Sequence, residues 1–353
     1  MAGTSLDGVD LALAAFEPTF LLKATRSFPF PPELKGALGR LCFRELAPLA
    51  EVAELDAELG VFFGQTIRRW LQELSLPKEE IAAIGSHGQT ILHRPAGPRP
   101  ITLQIGDPNR IAEITGVPVV ADFRRRDVAA GGEGAPLTPL FHRDFFGSPS
   151  ERRAVLNLGG IANLTLLFED GRVVGFDTGP ANTLLDRWCQ RWLGLPFDRD
   201  GRWAASGRCL GRLLEEMLAD PYFSKPPPKS CGPERFSLRW LEGFLTGRER
   251  PEDVQATLVH LTAESVRRAL ADFGPRRLYL CGGGCRNRLL VEALGQRLGF
   301  EVQTTASLGL DPDFVEATAF AYFAYRTLKG LPSNLPAVTG ARRRVILGAI
   351  YPA

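Results

Sequence analysis

The clearest chemical potential in this chain lies in its glycines. Three glycine-rich turns, GTSLDG at 3–8, NLGG at 157–160 and CGGG at 281–284, offer backbone N–H groups with little side chain in the way. A polyphosphate wants several such donors pointing one way, and small residues let the backbone come close enough. Each could be no more than a turn. One early, one central and one late before a helix, they suit a nucleotide lying in a cleft between two lobes. In the first turn Thr4 and Ser5 add hydroxyl donors, and Asp7 adds a carboxylate able to hold Mg2+ through water. No GxxxxGK[ST] loop is present, and no GxGxxG opens a helix at the N-terminus.

The acids come next. In GFDTGPAN (175–182) the pattern puts Asp177 at the end of an apolar strand, just before a helix. That position suits a general base, and it equally suits a helix N-cap, unless Thr178 or Asn182 does the capping. Asp198 and Asp200 are further candidates or members of a solvated loop, and Glu316 opens an otherwise apolar helix, where it answers the helix dipole or faces a polar ligand. GSHGQT (85–90) supplies His87, Gln89 and Thr90 after a strand. DFRRRD (122–127) is either a solvated run or, between lobes, the source of an arginine that grips a carboxylate bidentately. Cys281 and Cys285 flank three glycines without CxxC spacing or a following histidine pair, so a metal site there is poorly supplied.

The elements that must position these groups alternate. Strand patterns occupy 9–16, 20–30, 81–85, 101–105 and 117–121, with helices over 32–44, 47–77 (breaking near Gly60) and 107–116, the last capped by Asp107 with Pro108 in its first turn. After a Gly/Pro-rich stretch at 122–139, strands are expected at 153–158, 163–168, 172–176, 277–281 and 301–304. Helices are expected near 180–194, 208–219, 236–245, 251–273, 286–298 and 311–330. GTSLDGVDLALAAF (3–16) and NLGGIANLTLLF (157–168) share one design, a glycine turn feeding an alternating strand, which suggests two lobes of related α/β fold.

The 353 residues are enough for two domains. Lys+Arg 42 against Asp+Glu 40 leaves +2, which argues against a bulk grip on nucleic acid or membrane. No apolar run reaches the ~20 residues that span a bilayer, and the acid-bearing MAGTSLDGVD is no secretory signal. Six cysteines in so long a chain do not read as a disulfide framework. The expectation is a soluble, cytoplasmic protein.

As an ordered set, GTSLDGVD (3–10), GSHGQT (85–90), LQIGDP (103–108), VVADFRRRDVAAGGEGAPLTPLFH (119–142), NLGGIAN (157–163), GFDTGP (175–180), DRDG (198–201), CGGG (281–284) and TGARRRVILGAIYP (339–352) resemble the anhydro-N-acetylmuramic acid kinases, members of the actin, hexokinase and heat-shock chaperone ATPase superfamily. The resemblance covers almost the entire chain. It implies two actin-like (ribonuclease H-like) lobes with an interlobe cleft, 1–123 plus about 335–353 forming one and 124–334 the other. It implies ATP with Mg2+, a small-molecule sugar substrate and a homodimer. It implies that Asp177 is the base, that Glu316, Arg126 or Arg125, His87 and Gln89 meet the sugar, and that ATP contacts Gly3, Thr4, Ser5, Leu6, Asp7, Gly8, Val9, Asp10, Asn157, Gly159, Gly160, Gly282, Gly283 and Gly284. Two departures stand out. Ala181 replaces the family's glycine after GP, harmless if helical and costly if φ must be positive. The family's strand before the first loop has no counterpart, so the natural start is expected several residues upstream. Rival readings are a superfamily kinase for another sugar or carboxylate, and a nucleotide-driven conformational switch without a phosphosugar product.

Overall fold

The computed structural model describes residues 1–3, 6–42, 46–227, 229–232 and 235–353. The chain divides into two units, Met1–Phe141 with Glu316–Ala353, and His142–Val315.

In the first unit β1 (Gly8–Ala15) and β2 (Leu21–Pro29) pair antiparallel, with a bulge at Leu13/Ala14. Helices α1 (Pro32–Cys42) and α2 (Leu49–Glu73) follow. α2 runs unbroken through Gly60, contrary to the expected break. The glycine serves close packing: a Cβ there would lie 2.7 Å from the Asp107 carbonyl oxygen. β3 (Ile84–Gly85), β4 (Gln89–Arg94), β5 (Ile101–Ile105), α3 (Pro108–Thr115) and β6 (Val119–Ala121) come next, then α4 (Arg125–Ala129), and α5 (Pro139–Phe146) carries the chain from the first unit into the second. Asp107 caps α3, accepting from the Asn109 N–H at 2.9 Å, and Gly116 ends it in the left-handed region, φ 64°. The apolar stripes of α1 and α2, from Leu38 through Leu59 and Phe63, pack with Ile111 and Val119 into one core.

The second unit holds a five-stranded mixed sheet. β7 (Arg153–Leu158), β8 (Ile161–Leu167) and β9 (Val173–Pro180) form an antiparallel meander, and β10 (Arg277–Cys281) and β11 (Glu301–Thr304) add parallel beside β7, giving the order β11-β10-β7-β8-β9. Around it lie α6 (Asn182–Leu193), α7 (Arg202–Ala205), α8 (Gly211–Leu218), α9 (Pro221–Ser224), α10 (Leu238–Glu242), α11 (Pro251–Leu270) and α12 (Arg288–Leu298). Leu156, Leu164, Val259 and Leu280 are fully buried in its core. The chain then returns to the first unit with α13 (Val315–Leu328), α14 (Pro336–Thr339) and β12 (Ala349–Tyr351), the last pairing antiparallel with β6.

The division falls after 141 and before 316, not near 123/124 and 334/335 as expected. Asp127, fully buried in the arginine-rich block, is the reason. Its carboxylate accepts from Asn334 Nδ2 at 2.7 Å, Thr339 Oγ1 at 2.9 Å and the Gly134 N–H at 2.8 Å. The Arg342 N–H donates to the Ala130 carbonyl at 2.9 Å. A buried carboxylate must be hydrogen-bonded, and these donors tie the block to the carboxyl-terminal segment.

Candidate active site

In the second unit, parallel pairing sets Cys281 opposite Asn157, so the turns that leave β10 and β7 lie side by side. Their approach requires glycine. A Cβ on Gly282 (φ 81°) would stand 2.3 Å from Asn157 Oδ1, and one on Gly284 would stand 2.6 Å from Leu158 Cβ, while Gly283 has nothing within 4 Å. The Gly159 and Gly160 carbonyls accept from the first N–H groups of α6 (Asn182 and Thr183, each 3.1 Å). Because a trans peptide holds its C=O and N–H antiparallel, the Gly160 N–H points away from that helix. The two turns therefore form one glycine-walled edge.

Of the first turn, Thr4 and Ser5 lie outside the described residues. The Leu6 N–H donates to the Gly3 carbonyl at 3.4 Å, with Leu6 at φ 55°, and the Phe30 N–H donates to the Asp7 carbonyl at 3.2 Å. Gly8 packs against β2, a Cβ there falling 2.1 Å from the Phe28 oxygen, and Val9 is buried. Asp7 carries its carboxylate into solvent, beside Lys35 Nζ at 2.9 Å. An exposed carboxylate fits a water-mediated hold on Mg2+. Asp10 accepts from the Ser27 hydroxyl.

Asp177 is not at a strand end. β9 continues to Pro180, and a bulge places Thr178 as an extra residue between the pairs Asn163↔Asp177 and Ala162↔Gly179. Nor is it the cap of α6, whose N-cap is Ala181. Ala181 sits at φ −129°, so its departure from glycine meets no left-handed strain. The Asp177 carboxylate accepts from Asn163 Nδ2 at 2.7 Å and from the Cys231 N–H at 3.0 Å. Its main chain is held too: its N–H donates to the Lys229 carbonyl at 3.0 Å, and its carbonyl accepts from the Tyr222 hydroxyl at 2.9 Å. Asp198 is a loop-capping residue, its two oxygens accepting from the Trp203 and Ala204 N–H groups at 2.9 Å each, and Asp200 pairs with Arg202 at the surface.

In the first unit the arginine that turns inward is Arg124. Its Nε donates to His87 Nε2 at 3.0 Å and its Nη1 to the Gly134 carbonyl at 2.7 Å. Burial, with the Arg124 charge beside it, holds His87 well below its usual pKa, so the ring is neutral and donates from Nδ1 to the Gly88 carbonyl at 2.8 Å. Burial also pulls the Arg124 pKa down, with Glu316 and Asp127 opposing, so Glu316 lies within the field of Arg124. Arg125 and Arg126 are exposed on α4, and Arg125 pairs with Asp122 at 3.5 Å. Gln89 is 1% exposed, and its Oε1 has no partner among the described residues. Sequence reasoning missed Arg124, Asn163 and the 229–231 segment. Asn163 had a signal, since it closes the NLGGIAN motif at 157–163. The proline-rich run before Lys229 had none.

A mixed sheet in the order β11-β10-β7-β8-β9, glycine turns at the carboxyl ends of adjacent parallel strands and a held carboxylate on the neighbouring meander make an arrangement suited to phosphoryl transfer. The chain belongs to the anhydro-N-acetylmuramic acid kinase family, whose model matches residues 1–353. It is 51% identical over 362 residues to the anhydro-N-acetylmuramic acid kinases of two Xanthomonas campestris pv. campestris strains, 8004 and ATCC 33913, covering 100% of this chain and 96% of each relative. Among solved structures, it matches a PilM–PilN type IV pilus biogenesis complex at TM-score 0.42 and 17% identity, covering 91% of this chain and 96% of that one.

Proposed function

We propose that this protein opens 1,6-anhydro-N-acetylmuramic acid with water and phosphorylates its O6 from ATP, giving N-acetylmuramic acid 6-phosphate and ADP. Asp177 takes a proton from the water that attacks C1. As the C1–O6 bond breaks, O6 receives the electron pair and attacks the γ-phosphorus, and ADP leaves. The glycine edge at 157–160 and 282–284 and the first turn at 3–10 bind the phosphates through backbone N–H groups. Such transfer depends mainly on position and electrostatics. Asp7 would hold Mg2+ through water, and the ion would supply charge neutralisation at the phosphates. Glu316, His87, Gln89 and Arg126, with Arg125 as the other candidate, meet the sugar and its carboxylate. The reading extends to a cytoplasmic homodimer in peptidoglycan recycling without nucleic-acid or membrane partners; no helix among the described residues is long and apolar enough to cross a membrane.

The observation that carries this reading is the full-length family match, joined to a carboxylate fixed at both oxygens on the strand the family motif marks. Mass spectrometry of a mixture of protein, Mg-ATP and anhydro-muramic acid tests it. A phosphosugar formed with one ADP per molecule is expected. Sugar-independent ATP hydrolysis without phosphosugar would support a nucleotide switch instead, and turnover only with another sugar would point to a different kinase.

A further inference from the structure

The contacts around Asp177 form an assembly drawn from parts of the chain that no single sequence motif spans. Asn163 on β8 stands directly across the strand pair, its Nδ2 2.7 Å from one carboxylate oxygen. The 229–231 segment reaches over from the other side. Its Cys231 N–H donates to the second oxygen at 3.0 Å, and its Lys229 carbonyl accepts the Asp177 N–H at 3.0 Å. That segment is itself anchored. Lys229 Nζ donates to the Tyr222 carbonyl at 3.3 Å and lies 4.9 Å from the Tyr222 ring centre. Tyr222 is 2% exposed and donates its hydroxyl to the Asp177 carbonyl at 2.9 Å. Asp220 fixes the base of this arm, accepting from the Tyr222 N–H at 2.9 Å, Arg235 at 2.7 Å and Trp240 Nε1 at 2.9 Å.

One donor at each oxygen fixes the plane of a carboxylate. A carboxylate has about four lone-pair sites, so being held in this way does not by itself spend it as a base. An ionised carboxylate only accepts, so the Asn163 amide must present its nitrogen. Both contacts favour the ionised form, which a base must be in before it acts. We infer that Asn163 and the Lys229–Cys231 segment are positioning residues, which aim the Asp177 carboxylate and keep it ionised for proton abstraction. This rests on the reading of Asp177 as the base. Among the described residues, the charged and titratable groups facing Asp177 include Lys229 and Cys231 from the segment and Tyr222 from α9, with Lys225 beside Lys229 and Arg235 beside Tyr222.

The test is the pH profile of kcat/KM, whose acid limb reads the base in the free enzyme. Asn163→Ala removes one donor. It is expected to lower kcat roughly 10- to 100-fold, within the range set by a positioned base, to leave sugar KM near wild type, and to move the acid limb upward. Asn163→Asp keeps the shape and sets a second carboxylate against the first, so the limb should move further still. Lys229→Met removes the nearby cation and should move it in the same direction by less. Asp177→Asn is the control. If it retains turnover, the base reading fails and this inference with it. If Asp177→Asn is inactive while Asn163→Asp and Lys229→Met melt like wild type and keep the wild-type acid limb, the positioning role alone is overturned. A merely structural Asn163 would shift the melting temperature and leave the limb in place. Should Asn163→Ala fail to fold, the other two variants decide the question.

Discussion

Gly282 approaches Asn157 so closely that a single added Cβ would stand 2.3 Å from the Asn157 side-chain oxygen. The contact joins the turns after β10 and β7, and Gly282 reaches it at φ 81° and ψ 169°, a region essentially closed to other residues.

Gly282→Ala is therefore expected to cost about 1–3 kcal/mol of stability from backbone strain alone and to push the two turns apart. The KM for ATP should rise about tenfold or more, equivalent to about 1.4 kcal/mol of lost binding, with sugar KM less affected. Thermal melts and steady-state kinetics check both. Gly283→Ala, with open space around it, should cost far less stability.

Asp177→Asn should keep the fold, because the side chain is isosteric. Turnover should fall about 10²- to 10⁴-fold, the usual contribution of a positioned base. Single-turnover assays with circular dichroism would show it, and activity within tenfold of wild type would move the base elsewhere.

Asp127→Ala should strand the Asn334, Thr339 and Gly134 donors that the buried carboxylate now satisfies. Losing hydrogen bonds to a buried charge predicts about 3 kcal/mol or more of destabilisation. Proteolysis should then cut first within the arginine-rich block or the 334–345 segment, which this carboxylate joins.

Stability should fall in mild acid. Burial lowers the pKa of all four histidines, His142 to about 3 and His93 to about 4. Below the ordinary value of 6.5 the unfolded chain takes up protons that the folded chain refuses. The stability these rings contribute is thus full above about pH 6.5 and is lost as pH falls toward 3. For His142 the slope is about 1.4 kcal/mol per pH unit. Melting temperatures from pH 7 to 5 should decline, and His142→Gln should flatten the decline.

Much of the fold was legible locally. Asp107, Pro108 and Gly116 bracket α3 as capping chemistry demands, and β7 forms over the 153–158 that the pattern marks, though β7 and β8 are buried along most of their length rather than on alternate residues. What escaped was set by distant partners. The bulge that carries β9 past Asp177 exists because β8 is one residue shorter there, which the β9 sequence does not record. Attention to Arg125 and Arg126 overlooked Arg124, because the facing of the short α4 is fixed by Asp127 bonding to residues 207 and 212 positions away. Asn163 and the 229–231 segment meet Asp177 through strand register and a loop without secondary structure. No spacing rule reaches that far.

The central claim is that water opens the anhydro ring and the freed O6 takes the phosphoryl group. Running the reaction in H2¹⁸O and quenching it promptly tests this most directly. One ¹⁸O on C1 of the phosphosugar, with none in its phosphoryl group, is the predicted result. Label appearing in inorganic phosphate, with the sugar unlabelled, would contradict it.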